Sequence, residues 1–183
     1  MVNFLSSKTL RSYVGTSTLD VGFTYAVKKP LLAKIEELEG GRGIHVNLAL
    51  EEFAIIPDES YTKNVDKLVG HVDKAGIVEP KNGEKLASNL LTFAINGLAD
   101  SFCIIVGYFL VNKMTAEELS IFILHIIEEV ENIGFTVVGA VADNASTNTK
   151  MLKIINPEGL SHITPHTPMI PKGSFTLGLI VLI

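Results

Sequence analysis

Cysteine is nearly absent from this chain. Cys103 is the one cysteine among 183 residues. That excludes an intramolecular disulfide framework and any zinc site built on paired C-x-x-C. Cys103 lies in the apolar run FCIIVGYFLV and reads as a small buried hydrophobe in a reducing compartment. Long apolar runs are missing too: none reaches the roughly 18–20 residues of a membrane span, so no membrane partner is expected. Met1–Leu10 lacks the basic start and apolar stretch of a secretory signal. Positive charge is in deficit, with 15 Lys and Arg against 20 Asp and Glu, a net charge of −5. A chain-wide electrostatic footprint for nucleic acid is therefore absent. The chain carries no P-loop, no G-x-G-x-x-G and no H-E-x-x-H. It has no G-x-S-x-G, which argues against a nucleophile-elbow hydrolase.

What is present suits one domain with a core of useful size. Ser6 or Ser7 caps a short helix through SKTLRSYV, with Gly15 as its stop. Val27–Leu38 reads as a helix with a stripe of Leu31, Leu32, Ile35 and Leu38. Pro30 suits its first turn, and Gly40-Gly41 closes it. Ile44–Ile56 reads as a strand in which Ile44, Val46, Leu48 and Leu50 alternate with His45, Asn47 and Ala49. Glu51 and Glu52 then fall one on each face. Pro57–Lys67 reads as a polar loop, and Leu68–Val72 as an arm of a hairpin. Leu90–Asn96 and Phe102–Val111 read as antiparallel strands. The second is so apolar that it reads as an inner strand buried on both faces.

The organising stretch is Asn112–Ile155. Thr115 and Glu118 form a capping-box pattern. Leu119, Phe122, Ile123, Ile126, Ile127, Val130 and Ile133 make one wide stripe, with His125 beside it, and Gly134 is a left-handed stop. Phe135–Ala142 is a buried strand ending at Asp143, and Thr149–Ile155 starts another helix. The long helix is a crossover that brings this strand parallel to the first. The fold class expected is α/β: a mixed sheet, an antiparallel meander plus a parallel strand, with packed helices.

This order sets Glu51 or Glu52 beside Asp143 at neighbouring strand ends, where open α/β sheets bind ligands. Adjacent carboxylates repel, and a hard divalent cation such as Mg²⁺ removes that repulsion. Such a pair supports phosphodiester chemistry. The bland alternatives are equally concrete. Asp143 is a turn or capping residue for the next helix, and one glutamate points to water. The loop Asn144–Asn148 adds amides and hydroxyls at a helix start, where phosphate also binds.

Six segments, in order, carry a resemblance. They are SSKTLRSYV, DVGF, VNLALEEFAI, KLVGHVD, GYFLVNKMTAEEL and IGFTVVGAVADNASTNTKML. Together they resemble the DNA transposases of the P-element and THAP-domain type, over roughly Leu5–Ile155. The resemblance implies an RNase H-like catalytic core, Mg²⁺ as cofactor, transposon-end DNA as partner and a nuclear location. It implies that Asp143, in ADNASTN, is the second catalytic acid and that Glu51, in LEEFAI, stands at the first, each a metal ligand. Residues 1–40 then read as a helical remnant of a region preceding the core, 41–158 as a partial core and 159–183 as a divergent tail or terminal strand.

The chain departs from the family in three places. Glu51 replaces an Asp, and its extra methylene moves the carboxylate by about 1 Å where productive geometry tolerates about 0.5 Å. The match fades after about Pro157, before the third acid. The cysteine-based THAP zinc module is missing. The expectation is a truncated core, inactive alone. The alternatives are a non-catalytic DNA- or protein-binding module prone to self-association, and an unrelated α/β enzyme acting on a small phosphorylated molecule.

Overall fold

The computed structural model describes residues 20–38, 44–62, 66–79, 85–143 and 145–155, and the backbone of 179–182. In chain order these form α1 (Tyr25–Glu37), β1 (His45–Ala54), β2 (Ser60–Thr62), β3 (Lys67–Val69), β4 (Asn89–Gly97) and β5 (Cys103–Val111). Then come α2 (Ala116–Ile133), β6 (Thr136–Ala142), α3 (Ser146–Ile155) and β7 (Leu179–Leu182). The main sheet has five strands in the order β5-β4-β1-β6-β7. β1, β4 and β5 pair antiparallel. β6 runs parallel to β1, and β7 parallel to β6. The expected mixed α/β sheet is therefore the observed one, and the terminal apolar stretch does supply a strand.

Alternation explains β1. Val46, Leu48 and Leu50 are buried, while Asn47 and Ala49 between them are half-buried. One face thus carries the core and the other stays partly open. The long helix follows its sequence signature closely. Glu118 N–H donates to Thr115 Oγ1 at 3.2 Å, and Thr115 N–H donates to Glu118 Oε2 at 3.1 Å. Both bonds satisfy donors that a helix start otherwise leaves unpaired. Leu119, Phe122, Ile123, Ile126, Ile127 and Val130 are all buried, each worth about 1.5–3 kcal/mol against exposure. Phe109 packs edge-on against Phe93 and Phe122, with centroids 5.9 and 4.7 Å apart. This cluster locks the helix to the sheet. Gly134, at φ 121°, ends α2 with a backbone that side-chain-bearing residues resist.

Three expectations need correction. β5 is an edge strand, not an inner one. Its outer side is covered by irregular chain instead: Gly22 N–H donates to Tyr108 O at 2.9 Å, and Asp73 N–H to Leu110 O at 2.8 Å. Coverage, rather than a second strand, accounts for its apolar composition. Second, the loop 57–67 contains β2, which pairs with β3 as a small separate hairpin. Third, α1 begins two residues earlier than expected, so Pro30 lies in its interior. Proline has no N–H for the Ala26 carbonyl. Ala26 and Pro30 are both exposed, while Leu31 alongside is fully buried and holds the helix. The short helix through SKTLRSYV, the Gly40-Gly41 stop and most of 159–183 lie outside the described residues.

Candidate functional site

The β1–β6 register fixes the site. Leu48 pairs with Ala140 and Ala49 with Val141. Two residues further along each strand, Glu51 comes abreast of Asp143. Glu51 follows Asn47 and Ala49 on the open face. Glu52 follows Leu48 and Leu50 on the core face, still within the β1–β4 ladder. Both side chains are exposed by area. Both lie close enough to Asp143 to feel its charge. The Glu51 carboxyl is pushed above its usual value, first by partial loss of hydration and then by the Asp143 charge. Glu52 is pushed up by the same two causes, with an opposing hydrogen bond from the Asn89 side chain. A like charge nearby disfavours the ionised form of each glutamate.

Asp143 also serves the chain locally. Its Oδ1 accepts from Ala145 N–H at 3.1 Å and from Asn148 Nδ2 at 2.5 Å. Asn148 Nδ2 reaches the Asp143 carbonyl as well, at 3.3 Å. These bonds bear out the turn role of Asp143, and the turn into α3 is what points its carboxylate. No described residue donates to Oδ2. Asn148 is only 8% exposed, so its amide is spent on Asp143 and is not offered to a phosphate. Ser146 and Thr147 fall in the first turn of α3, and Asn144 lies outside the described residues.

The sequence offered Asn148 as one of the amides at the helix start, but not as the donor that holds Asp143, and it did not connect Thr92 to the site at all. Thr92 pairs across the antiparallel ladder with Glu51. It sits in an apolar run, LLTFAI, where nothing marks it out. Cys103 is half-buried, and burial pushes its thiol up, away from the reactive thiolate.

The donor set is all oxygen: two neighbouring carboxylates whose charges oppose one another. That chemistry fits a hard divalent cation, which often takes only one or two protein carboxylates. Among the described residues no group of three or more His, Cys, Asp or Glu is placed to hold one ion. Glu51 and Glu52 are the two carboxylates that feel the charge of Asp143.

No curated protein sequence matches the chain. Among solved structures, the Drosophila P element transposase strand transfer complex matches with a TM-score of 0.55 at 16% identity, over 82% of this chain and 29% of that one. The Mos1 strand transfer complex aligns at 12% identity and a TM-score of 0.30, over 82% of this chain and 47% of that one. The chain thus spans less than a third of the P element transposase. The family model described as "TNP-like, RNase H N-terminal domain" matches residues 19–156. With the strand order and crossover found here, that match establishes that the chain belongs to the TNP-like RNase H N-terminal domain family and is a transposase-type RNase H-like domain.

Proposed function

We propose that this chain is the first part of the catalytic core of a P-element-type DNA transposase, the type that includes THAP-domain members. In this reading Glu51 and Asp143 hold Mg²⁺, and the protein acts on transposon-end DNA in the nucleus. One observation carries the proposal: the parallel β1–β6 register, carried two residues past its last pair Ala49–Val141, sets Glu51 within β1 abreast of Asp143 just past the end of β6. The strand transfer complex of the P element transposase, whose fold this chain shares, supports DNA as the substrate class. A bound Mg²⁺ would supply charge neutralisation and activation of a nucleophile at phosphorus. The chain's own part is to aim the acids. The β1–β4–β6 ladders hold their backbones, and Asn148 fixes the Asp143 carboxylate. In this reading further ligands are needed beyond Glu51 and Asp143, and the described residues alone would bind metal without cleaving DNA.

Calorimetric titration with Mn²⁺ or Mg²⁺ tests the site, with Asp143→Ala as control. Saturable binding that the control abolishes is the expected result. Equal heats in both proteins would remove the metal reading. Metal-dependent nicking of labelled DNA tests activity, and none is expected from this chain alone.

A second reading is favoured by Glu51 standing where the resembling transposases have Asp, and by the lack of a three-ligand cluster among the described residues. It is a non-catalytic module, domesticated from such an element, that binds DNA or a partner protein. Absence of both metal binding and nicking, with DNA or partner binding retained, selects it.

A further inference from the structure

One buried polar atom in the sheet is unexplained. Among the described residues, Thr92 Oγ1 is the side-chain oxygen or nitrogen that is buried and has no hydrogen-bond partner. Thr92 is 5% exposed. A buried hydroxyl without a partner costs free energy, and valine would fill the same space without that cost. Its position supplies a reason. Thr92 is the direct cross-strand partner of Glu51, and directly paired residues put their side chains on the same face about 4.5–5.5 Å apart at Cβ. A glutamate carboxylate is within reach of a hydroxyl at that separation. On the other side of Glu51, the β6 register brings in Asp143. Glu51 therefore lies between a repelling carboxylate and an uncommitted donor.

The geometry points to Thr92 as the positioning residue for Glu51: its hydroxyl is held in reserve to donate to the Glu51 carboxylate when that carboxylate turns onto a divalent cation shared with Asp143. This rests on the metal reading proposed above and deepens it. A glutamate has one more rotatable bond than the aspartate of the resembling family, so its carboxylate needs an anchor to stay on a metal. Asp143 already has such an anchor in Asn148, through a 2.5 Å bond. Thr92 provides the matching one on β4. The pair gives each acid one neutral side-chain donor, beside the Ala145 N–H that Asp143 Oδ1 also accepts, and leaves the remaining oxygens for the ion.

The test uses the full chain, titrated with Mn²⁺ by calorimetry as wild type, Thr92→Val and Thr92→Ser. Valine keeps the shape and removes the hydroxyl, and circular dichroism checks that the fold is retained. Thr92→Val is expected to weaken Mn²⁺ about tenfold, the low end of the loss seen on removing such supporting groups. Thr92→Ser, which restores the donor, is expected to bind close to wild type. Wild-type affinity in Thr92→Val overturns the proposal, and so does equal weakening in both variants. If the wild type takes up no Mn²⁺, the metal reading fails and the role of Thr92 falls with it, whereas wild-type uptake left unchanged by Thr92→Val overturns the role of Thr92 alone.

Discussion

At the scale of single residues, the site stores a small electrostatic cost. Glu51 and Glu52 hold their protons more tightly in the folded chain than in the unfolded one. The folded state therefore binds more protons near and above pH 4.5, and stability declines as pH rises through that window. Both groups are exposed, so solvent screens most of the effect, leaving on the order of a few tenths of a kcal/mol. Glu51→Gln is expected to raise the unfolding midpoint at pH 7 by up to about 1 °C, with no gain near pH 4. Thermal melts across that range read the difference directly. Asn148 has the opposite character. Its amide is buried and bonded to both the carboxylate and the carbonyl of Asp143. Asn148→Ala is expected to cost about 1–3 kcal/mol by urea denaturation, since it strips the turn of its donor. Asn148→Asp sets a second charge against Asp143 and should cost more at pH 7, with the excess vanishing as the pH falls toward 4.

At the scale of elements, legibility followed how local the cause was. The long helix was readable because its cap, its stripe and its glycine stop all lie within its own residues. Glu118, besides closing the capping box, pairs with Lys74 at 3.1 Å where both are largely buried. That pairing joins segments 44 positions apart, and no local pattern announces it. Thr115→Ala removes one cap bond and is expected to destabilise the chain by about 1 kcal/mol, measured by urea titration. The edge placement of β5 was not readable, because apolar composition reports burial and not the source of the covering atoms. Here the cover is Gly22 and Asp73, brought in from distant loops. β2 was missed because three residues pair only with β3, giving no alternating run to detect. Glu51 and Asp143 were legible as a pair because the crossover rule fixes a parallel neighbour. Thr92 was not, because β1 and β4 are joined through β2 and β3 rather than by a turn, so nothing local sets their register.

At the scale of the whole molecule, the sheet is closed off unequally. On one side, β5 has its outer edge occupied by irregular chain. On the other, β6 is covered by β7, through Gly139, Ala140, Val141 and Ala142. β6 is also the strand that delivers Asp143. Without β7, its ladder of N–H and C=O groups would lie open along an apolar strand, a template for pairing with a second chain. Deleting residues 179–183 should therefore leave the β1–β4–β5 meander and α2 intact, because their contacts do not pass through β7. Far-UV circular dichroism should change little, while sedimentation velocity should show association that grows with concentration. If the pairing of β7 only decorates an already protected edge, the truncated chain will sediment as the full chain does. The metal titration divides the outcomes further. Asp143 is aimed by Asn148 and Glu51 is held in the β1–β4 ladder, neither of which needs β7. The truncated protein should then keep its Mn²⁺ affinity at concentrations where it stays monomeric and lose it only as β6 becomes occupied by a neighbour. Loss of affinity in the monomer would mean instead that β7 sets the angle at which β6 presents its terminal acid.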